Sequence, residues 1–421
     1  MEIKAIRGMN DILPEDIYKW RFTEETARRI FGLYGFNELR TPILERTDLF
    51  FRGIGDDTDV VEKQMYTFND KSGSSIALRP EATASVLRAV IEKGLLNKDP
   101  IQKIFSIGPM FRYERPQKGR YRQFHQINIE RLGEEDSSCD AETLCMAYDL
   151  ANALGLKGVT MEVNSLGCNT CRDNYKKALK TYLSSKKDHL CSDCSRRLET
   201  NPLRLLDCKV VSCREAVKDS PAIFEFLCND CKEHYQGLLA ALGSFNVPYV
   251  ENPRLVRGLD YYTRTTFEIT AEGLGSQNAI AGGGRYDNLV QILGGPDASG
   301  IGFAFGLERV IMLMDREPLL EPGCFVISHG GPEVKNGSLQ LLGVLRNRDI
   351  KSEAVFDKSF KSQMRRAGKS GYRVCAIIGE DEIARSLITI KDLDTSEQIQ
   401  VDKDKAVDTI ISMFDKQGEK T

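Results

Sequence analysis

Long apolar stretches are missing from this sequence. No run approaches the roughly 18 uncharged apolar residues of a membrane-spanning helix, and the opening segment Met-Glu-Ile-Lys-Ala-Ile-Arg-Gly has no apolar signal core. A large excess of charge of one sign is also missing, because the net charge is only −3. A binding surface for nucleic acid therefore has to be sought in local patches of basic residues. Internal repeats and low-complexity tracts are absent too. These absences predict a soluble protein of the cytoplasm.

What the sequence does contain is typical of a multidomain globular protein. Its 421 residues are 41% hydrophobic and 28% charged, which is enough material for two or three domains with their own cores. Twelve residues are cysteines. Without an export signal, so many cysteines indicate a reducing compartment, where thiols are free or bound to metal rather than joined in disulfides.

Eight of the cysteines form four close pairs within one 64-residue stretch. Each pair can present two sulfurs from one turn, and four thiolates close a tetrahedral zinc site, so the spacing predicts structural zinc in up to two sites. The alternative is that these small thiols are core residues. The pairs are Cys168-x-x-Cys171, Cys191-x-x-Cys194, Cys208-x4-Cys213 and Cys228-x-x-Cys231.

Two neighbouring segments carry the clearest functional signal. Residues 257–268 read Arg-Gly-Leu-Asp-Tyr-Tyr-Thr-Arg-Thr-Thr-Phe-Glu and alternate as a strand does, with the cation Arg257 near the phenols Tyr261 and Tyr262. Residues 281–287 read Ala-Gly-Gly-Gly-Arg-Tyr-Asp, and their glycine triplet lets a ligand approach the main chain. The two segments predict a pocket wall for a small anionic ligand. The alternative is a core strand followed by a flexible turn.

Two further segments bring arginines to the same sheet. Residues 111–126 predict two strands joined by a loop that contains Pro116, Gly119 and several basic side chains. Residues 302–309 read Gly-Phe-Ala-Phe-Gly-Leu-Glu-Arg and predict a strand of small residues that enters a helix with Arg309 in its first turn. Guanidinium groups offer a fixed fork of donors, so their convergence favours a triphosphate ligand over a solvated surface.

These segments carry a specific resemblance. Those at 111–126 and 302–309 resemble motifs 2 and 3 of class II aminoacyl-tRNA synthetases, and those at 257–262 and 282–287 resemble the histidine-specific signatures of the histidyl-tRNA synthetase family. The resemblance extends from about Arg7 to about Val401. It implies that histidine and ATP, with Mg²⁺, give histidyl-adenylate and pyrophosphate, and that the histidyl group then passes to the 3′ end of tRNA-His.

The resemblance also implies roles for the arginines. Arg112 would bind the α-phosphate and the attacking carboxylate, Arg309 the γ-phosphate, and Arg120 the pyrophosphate end. Arg257 would be a fixed cation beside the α-phosphate, where it could contribute several kcal/mol in a dry site. The implied catalytic set is Arg112, Gln126, Arg257 and Arg309, and the implied ATP-binding set is Arg112, Glu114, Arg120, Phe124 and Arg309.

Recognition of adenine and of histidine would use other side chains. Glu114 and Phe124 would frame the adenine, with Phe124 stacked on it. His125 lies next to Phe124 and is expected to face the other way, in a structural role. A buried acceptor left unpaired costs about 1–3 kcal/mol, so a pocket that hydrogen-bonds its substrate rejects apolar analogues. The implied histidine pocket is Glu81, Thr83 and Gln126 at the ammonium, Glu130 and Tyr262 at the imidazole, and Arg257, Tyr261 and Tyr286 along its wall.

The predicted fold is α+β, with an antiparallel sheet flanked by helices, a helical insertion and a C-terminal α/β domain. A helix at 14–34 and a strand at 39–44 that contains Pro42 resemble motif 1, the dimer-forming element of the class, and predict a homodimer. By the resemblance, the C-terminal domain binds the anticodon. The predicted boundaries are 1–164 and 251–316 for the catalytic domain, 165–250 for the insertion, 317–323 for a linker and 324–421 for the anticodon-binding domain.

Two basic regions are candidates for contacts with tRNA. The family uses the loop at 115–120 on the acceptor end of tRNA, where Arg115 and Gln117 would read the discriminator end. A stripe of basic residues at helical spacing in the C-terminal domain could follow a phosphate backbone. Each region could instead be a solvated surface. The stripe consists of Lys358, Lys361, Arg365 and Lys369, with Arg366 beside them.

Two other functions stay open at the level of sequence. A non-catalytic paralogue of the family acts as the regulatory subunit of ATP phosphoribosyltransferase; such proteins generally lack the anticodon domain and have eroded catalytic arginines. This chain keeps Arg112, Arg257 and Arg309 and continues for about a hundred residues past the linker. A zinc-dependent nucleic-acid-binding module would explain the cysteine pairs but not the arginines.

Overall fold

The computed structural model describes residues 2–55, 58, 60–259, 261–275, 278–316 and 322–415. The chain divides into two compact units, Met1–Arg316 and Glu317–Thr421. Most of the linker expected at 317–323 lies outside the described residues. Within the described part of the chain, no helix is both long and apolar enough to cross a membrane.

The first unit is built on an eight-stranded sheet in the order β1-β5-β6-β11-β10-β9-β7-β8, and β2, β4 and β3 form a small antiparallel sheet in that order. Five of the seven pairings in the large sheet are antiparallel, and only the edge pairs β1–β5 and β7–β8 are parallel. The expected antiparallel sheet is therefore present, with parallel edges. The strands are β1 (Asn37–Glu38), β2 (Leu44–Arg46), β3 (Tyr66–Asn69), β4 (Ser75–Leu78), β5 (Gln102–Phe111), β6 (Gln123–Leu132), β7 (Thr160–Ser165), β8 (Val250–Glu251), β9 (Thr263–Thr270), β10 (Ala279–Arg285) and β11 (Gly300–Gly306).

The main core lies between this sheet and several helices. The apolar stripe of α1 (Ile17–Leu33) buries Phe31, whose ring lies 5.2 Å from that of Phe105 on β5, centroid to centroid. Gly35, at φ +79°, terminates the helix without the strain that a side chain would add. The other helices of the unit are α2 (Thr47–Ile54), α3 (Thr83–Glu92), α4 (Leu95–Lys98), α5 (Ser137–Ala153), α6 (Asn169–Ser184), α7 (Ser192–Thr200), α8 (Val211–Val217), α9 (Asn229–Ser244), α10 (Leu289–Ile292) and α11 (Leu307–Leu313).

The stretch between β7 and β8 is helical, as expected, and has two roles in packing. Helix α9 packs against α5 and belongs to the main core through Leu238 and Leu242. Helices α6, α7 and α8 form a second, smaller core, in which Tyr175 and Leu179 are buried together with four cysteines. The smaller core also contains Tyr262, which lies outside this stretch, just before β9.

The second unit has a five-stranded sheet in the order β13-β12-β14-β15-β16, parallel across the first three strands and antiparallel across the rest. This agrees with the α/β character expected of the C-terminal domain. Its elements are β12 (Gly323–His329), α12 (Pro332–Asn347), β13 (Lys351–Ala354), α13 (Phe360–Ala367), β14 (Val374–Gly379), α14 (Glu380–Arg385), β15 (Leu387–Asp392), β16 (Gln398–Asp402) and α15 (Ala406–Asp415).

Three local expectations differ from the structure. Residues 257–259, 261 and 262 belong to no strand, because the first β9 residue paired with β10 is Thr263; we refer to these described residues as the 257–262 loop. The glycine triplet is not a turn but the middle of β10, since it is paired on both sides. The strand expected at 39–44 is not continuous; β1 ends at Glu38 and β2 begins at Leu44, on either side of Pro42.

Candidate active site

A cavity of about 300 Å³ opens beside the centre of the large sheet. Its wall combines strands β6, β9, β10 and β11, the start of α3, the 112–126 segment and the 257–262 loop. Glu268 on β9 and Asn128 on β6 also line it, although the sequence analysis did not single them out. The residues predicted from sequence that line it are Glu81, Thr83, Arg112, Glu114, Arg120, Phe124, Gln126, Arg257, Tyr261, Tyr262, Tyr286 and Arg309.

Alternation along β6 determines which side chains reach this cavity. Gln126 and Asn128 face it, whereas Ile127 and Ile129, which alternate with them, are fully buried in the main core. His125 faces away: its ring lies 4.8 Å from that of Trp20, and its Nδ1 lies 2.9 Å from Oε1 of Glu308. These contacts agree with the structural role expected for His125.

Glycines on β10 and β11 make room on the cavity face of the sheet. A Cβ at Gly282 would overlap the guanidinium of Arg257, and a Cβ at Gly302 would overlap the carboxylate of Glu130. The triplet therefore allows side chains, as well as ligands, to approach the main chain closely.

Three arginines enter the cavity from three separate elements. Arg112 follows β5, donates from Nε to the carbonyl of Pro80 at 2.8 Å, and lies over the ring of Phe124, 5.3 Å from its centroid. Arg309 on α11 donates to the carbonyls of Gly119 at 3.1 Å and Ala279 at 2.7 Å. Burial lowers the pKa of both guanidinium groups, because desolvation penalises the charged form. An anion placed between them would offset that cost.

The third arginine, Arg257, is paired within the protein. Its Nη1 donates to Oε2 of Glu268, the β9 residue opposite Gly282. Its Nε is buried and has no hydrogen-bond partner among the described residues. The carboxylate of Glu268 thus positions a cation that still has donor capacity. A sequence signal for Glu268 was present, because Glu268 is the last residue of the alternating 257–268 segment.

Arg120 and Glu114 form an ion pair at the mouth of the cavity, with 2.9 Å between Arg120 Nε and Glu114 Oε2. Arg120 is more exposed than the other arginines of the site, with a side-chain relative accessibility of 44%. The loop that carries it turns tightly, since Gln117 and Arg120 exchange backbone hydrogen bonds of 3.0 and 2.9 Å. Arg115 and Gln117 are exposed and do not line the cavity.

Acidic and phenolic side chains lie beside these arginines in the cavity. Both carboxylate oxygens of Glu81 accept backbone N–H bonds at the start of α3, from Thr83 at 2.7 Å and Ala84 at 2.8 Å. Burial nevertheless raises the pKa of Glu81. Glu130 accepts a hydrogen bond from the hydroxyl of Tyr286, and burial raises the pKa of Glu130 to about 8. Glu130 stands behind Tyr286 rather than on the cavity wall.

Three tyrosines line the cavity together. The ring of Tyr261 lies 4.7 Å from that of Tyr262 and 5.7 Å from that of Tyr286, the latter edge to face. Burial raises the pKa of all three phenols, so each stays a neutral donor at physiological pH. The cavity therefore combines guanidinium groups that suit a polyanion with carboxylates and neutral phenols that suit a group with N–H donors.

The basic residues of the second unit are arranged differently from the expected stripe. Lys361 and Arg365 lie on α13, whereas Lys358 precedes its N-cap and Lys369 follows its end. The side chains are nevertheless exposed, as a phosphate-contacting surface requires.

The eight paired cysteines form two groups of four. In each group the Sγ atoms all lie within 4.8 Å of one another, so each group could hold a metal ion. The pairing is nested, with the first pair joined to the fourth and the second to the third. We call Cys168, Cys171, Cys228 and Cys231 the outer cluster, and Cys191, Cys194, Cys208 and Cys213 the inner cluster.

Comparisons with known proteins agree with this architecture. A family model described as histidyl-tRNA synthetase matches residues 8–310, and an anticodon binding domain model matches 324–413. A histidine--tRNA ligase from Thermodesulfovibrio yellowstonii is 48% identical over 418 residues, 99% of this chain and 100% of that protein. One from Nitratidesulfovibrio vulgaris is 50% identical over 405 residues, 96% of this chain and 97% of that protein.

A solved structure gives the same result for the fold. The apo histidyl-tRNA synthetase of S. aureus superposes with a TM-score of 0.81 at 36% identity, and the match covers 97% of this chain and 100% of that one. With matching models over both units and relatives of nearly the same length, the chain belongs to the histidyl-tRNA synthetase family.

Proposed function

We propose that this chain is a histidine–tRNA ligase. It activates L-histidine with ATP to histidyl-adenylate, releases pyrophosphate, and transfers histidine to the 3′ end of tRNA-His. The observation that carries the proposal is the composition of the cavity. Arg112, Arg257 and Arg309 line it together with Glu81 and the three tyrosines, and Glu130 accepts a hydrogen bond from one of these, Tyr286. Membership of the family, through relatives about half identical over nearly the whole chain, supports the same reaction.

Adenylation is a displacement at the α-phosphorus, and positioned positive charge supplies most of its catalysis. In our proposal Arg112 binds the α-phosphate and the histidine carboxylate, Arg309 binds the γ-phosphate, and Arg120 contacts the pyrophosphate end. Phe124 stacks on the adenine, with Glu114 at its edge. The stacking of Arg112 over Phe124 supports an ATP pose that bridges the two residues. Mg²⁺ accompanies the ATP and shares the charge of its phosphates.

Arg257 supplies a fixed cation as the α-phosphate rearranges. Its pairing with Glu268 supports this role, because the guanidinium is already oriented before substrate enters. Gln126 contributes a neutral donor near the reacting carboxylate.

The histidine side chain and ammonium lie against the carboxylates and phenols of the cavity. Glu81, Thr83 and Gln126 receive the ammonium, while Glu130 and Tyr262 select the imidazole. Tyr261 and Tyr286 complete the wall. The Tyr286–Glu130 hydrogen bond supports an indirect role for Glu130, which sets the polarity of Tyr286 rather than contacting substrate alone.

The tRNA is bound by both units. Arg115 and Gln117 reach the acceptor end, and Lys358, Lys361 and Arg365 contact the anticodon arm. Their exposure supports these contacts. We propose the same domain limits as those read from sequence, 1–164 with 251–316, 165–250, and 324–421.

We also propose a cytoplasmic homodimer with structural zinc in the insertion. Ile43 and Leu44 are 41% and 45% exposed, and Phe51 nearby is 42% exposed, which supports an apolar interface around 41–51. Four thiolates leave no open coordination position, so zinc in either cluster would be structural.

The regulatory-subunit alternative is disfavoured by the converging arginines and by the second unit, which matches an anticodon binding domain. The deciding experiment is ATP–pyrophosphate exchange with each of the twenty amino acids. We expect exchange with histidine only. Absence of exchange with histidine, or equal exchange with another amino acid, contradicts the proposal.

A further inference from the structure

We propose that the outer and inner clusters are two nested zinc sites, and that the segment they organise holds both ends of the 257–262 loop through Arg172 and Arg204. The metal sites stand on their own geometry. The effect on histidine binding rests on the function proposed for the cavity.

The spacing of the sulfurs fits a single ion in each cluster. Four sulfurs at about 2.3 Å from zinc in a tetrahedron are about 3.8 Å from one another. All Sγ atoms of either cluster lie within 4.8 Å of one another, so closure onto one ion needs only small side-chain rotations. An iron–sulfur cube spreads its four thiolates across the width of the cluster, which this spacing does not allow. Tetrahedral four-sulfur sites select zinc over harder ions.

The outer cluster is built from two helix starts. Cys168 and Cys228 are the N-cap residues of α6 and α9, and Cys171 and Cys231 lie in the first turns. The amide of Cys168 donates to Sγ of Cys231 at 3.2 Å, and the amide of Cys228 donates to Sγ of Cys171 at 3.1 Å. This exchange is two-fold symmetric. Amide donors and two 16-residue helix starts stabilise thiolates, the form that binds metal.

The inner cluster repeats part of this arrangement. Cys191 is the N-cap of α7 and Cys194 lies in its first turn. The amide of Cys191 donates to Sγ of Cys213 at 3.1 Å. The inner cluster joins α7 to the segment before and within α8, and the outer cluster closes the whole stretch from α6 to α9. Two ions in this nested order would fix the short helices α7 and α8 between the longer α6 and α9.

Arg172 connects the outer cluster to one end of the pocket loop. It follows Cys171 directly, and its Nη1 donates to the main-chain oxygen of Tyr262 at 2.5 Å. The Tyr262 ring is buried in the same apolar cluster as Cys171 and Cys231. The position of this pocket residue therefore depends on the insertion.

Arg204 connects the inner part of the insertion to the other end of the loop. It lies on a 3-10 turn between α7 and α8, in the stretch from Cys194 to Cys208 that the inner cluster closes. Its Nη1 donates to the main-chain oxygen of Arg257 at 3.0 Å. The carbonyls at both ends of the loop, Arg257 and Tyr262, thus accept hydrogen bonds from arginines of the insertion. Arg172 and Arg204 are positioning residues: they act on histidine through the loop.

Metal content is measured first, by elemental analysis of untagged protein purified with reductant and without chelator. We expect about two zinc ions per chain. Less than about 0.2 zinc per chain, or iron as the main metal, overturns the zinc assignment. Neither result bears on amino-acid-dependent exchange, so failure of the metal sites and failure of the proposed ligase function can be told apart.

The nested pairing is tested with two double variants. C171S/C231S removes two ligands from the outer cluster, so about one zinc should remain. C171S/C194S removes one ligand from each cluster, so both ions should be lost. If the first cysteine pair instead shared an ion with the second, and the third with the fourth, the results would be reversed. C171S/C231S would then lose both ions and C171S/C194S would keep one. X-ray absorption on the unaltered protein needs no variant: it must show four sulfurs at about 2.3 Å, and nitrogen or oxygen ligands contradict the sites.

The link to the pocket is tested with Arg172→Ala. Loss of one hydrogen bond to the loop should raise the KM for histidine in exchange about tenfold, with kcat within about twofold and two zinc ions retained. Arg172→Lys, which keeps a donor, should recover part of the loss. Arg196→Ala is the matched control, because Arg196 on α7 is half exposed and its ion pair with Asp193 is long, at 3.9 Å between Nη2 and Oδ1. An unchanged KM, or a KM change that the lysine variant does not reduce, overturns the positioning role.

Discussion

The cavity brings together several arginines and the insertion brings together eight cysteines, but the two regions stabilise these groups differently. In the cavity, arginines meet carboxylates and carbonyls of the protein itself, as Arg257 does with Glu268 and Arg120 with Glu114. In the clusters, the sulfurs accept backbone amides at helix starts, as Cys231 does from the amide of Cys168. We therefore expect the cavity to be formed by folding alone, whereas the proposed zinc sites predict that the insertion reaches its full stability only with metal.

Packing explains this difference. The cavity rests on a large sheet whose other face carries the main core, with Ile127 and Phe267 fully buried. The insertion has a small core of its own, in which cysteines occupy buried positions. Small domains with little apolar core commonly depend on a structural metal for stability. Each of the following predictions separates catalysis from stability in one of the two regions.

The largest effect is expected from Arg257→Ala. Loss of the fixed cation should lower single-turnover adenylate formation roughly a hundredfold to a thousandfold, while histidine affinity changes far less. The melting temperature should stay within a few degrees, because the cavity does not depend on its ligand for folding. Arg254→Ala is the control and should be near normal, because Arg254 is an exposed arginine three residues before Arg257 and does not line the cavity. Near-normal adenylation in Arg257→Ala would remove this residue from the mechanism.

The next largest effect is expected from deletion of residues 324–421. The second unit is compact in itself, and every described residue that lines the cavity belongs to the first unit. Charging of tRNA should fall about a hundredfold, the equivalent of about 3 kcal/mol of lost binding, while histidine-dependent exchange stays within a few-fold. A truncated protein that melts cooperatively but loses both activities equally would contradict a separate tRNA-binding role for this unit.

Removal of metal should act mainly on stability. Complete chelation is expected to lower the melting temperature by about 10 °C, because metal binding in such domains is coupled to folding. Addition of zinc should restore it. Double replacement of Cys324 and Cys375, buried thiols of the second unit that belong to neither cluster, is the control for cysteine loss as such and should leave the zinc content unchanged. An unchanged melting temperature after full chelation would place the eight clustered cysteines among ordinary core residues.

The smallest effect concerns pH and Glu130. Burial raises the pKa of Glu130 to about 8 in the folded protein, above its unfolded value near 4.5. The folded state therefore binds the proton more tightly than the unfolded state. The contribution of this proton to the free energy of unfolding is complete below about pH 4.5 and is lost as pH rises toward 8. Glu130→Gln cannot titrate, so it should gain a few degrees of melting temperature relative to the parent between pH 5.5 and about 8.5. A constant difference across that range would contradict the raised pKa.

Local sequence patterns predicted several of the helices and strands near the cavity correctly. The β5–loop–β6 hairpin and the β11–α11 junction agree with the predicted segments, since alternation and small residues are visible along a single strand. The 257–262 loop was predicted as part of a strand because its Tyr-rich composition favours strands. Its main-chain oxygens instead accept hydrogen bonds from Arg172 and Arg204, which are far away in sequence. No local pattern shows such contacts.

The same limit applies to the clusters and to the pocket carboxylates. Spacing identified the four cysteine pairs, but the nested pairing depends on how α6 meets α9. Glu81 was chosen as a ligand for the ammonium, yet its oxygens also bind the start of α3, a role visible only in three dimensions. The functional roles of the individual site residues stay predictions until variants are measured.

The most direct test of the central claim is a competition assay for tRNA charging. The purified protein, ATP and Mg²⁺ are incubated with total bacterial tRNA and an equimolar mixture of the twenty amino acids, and the aminoacyl groups are released and identified by mass spectrometry. The account predicts histidine alone, on tRNA-His, and none when ATP is omitted. A different amino acid on the tRNA, or no ATP-dependent charging by a correctly folded protein, would contradict it.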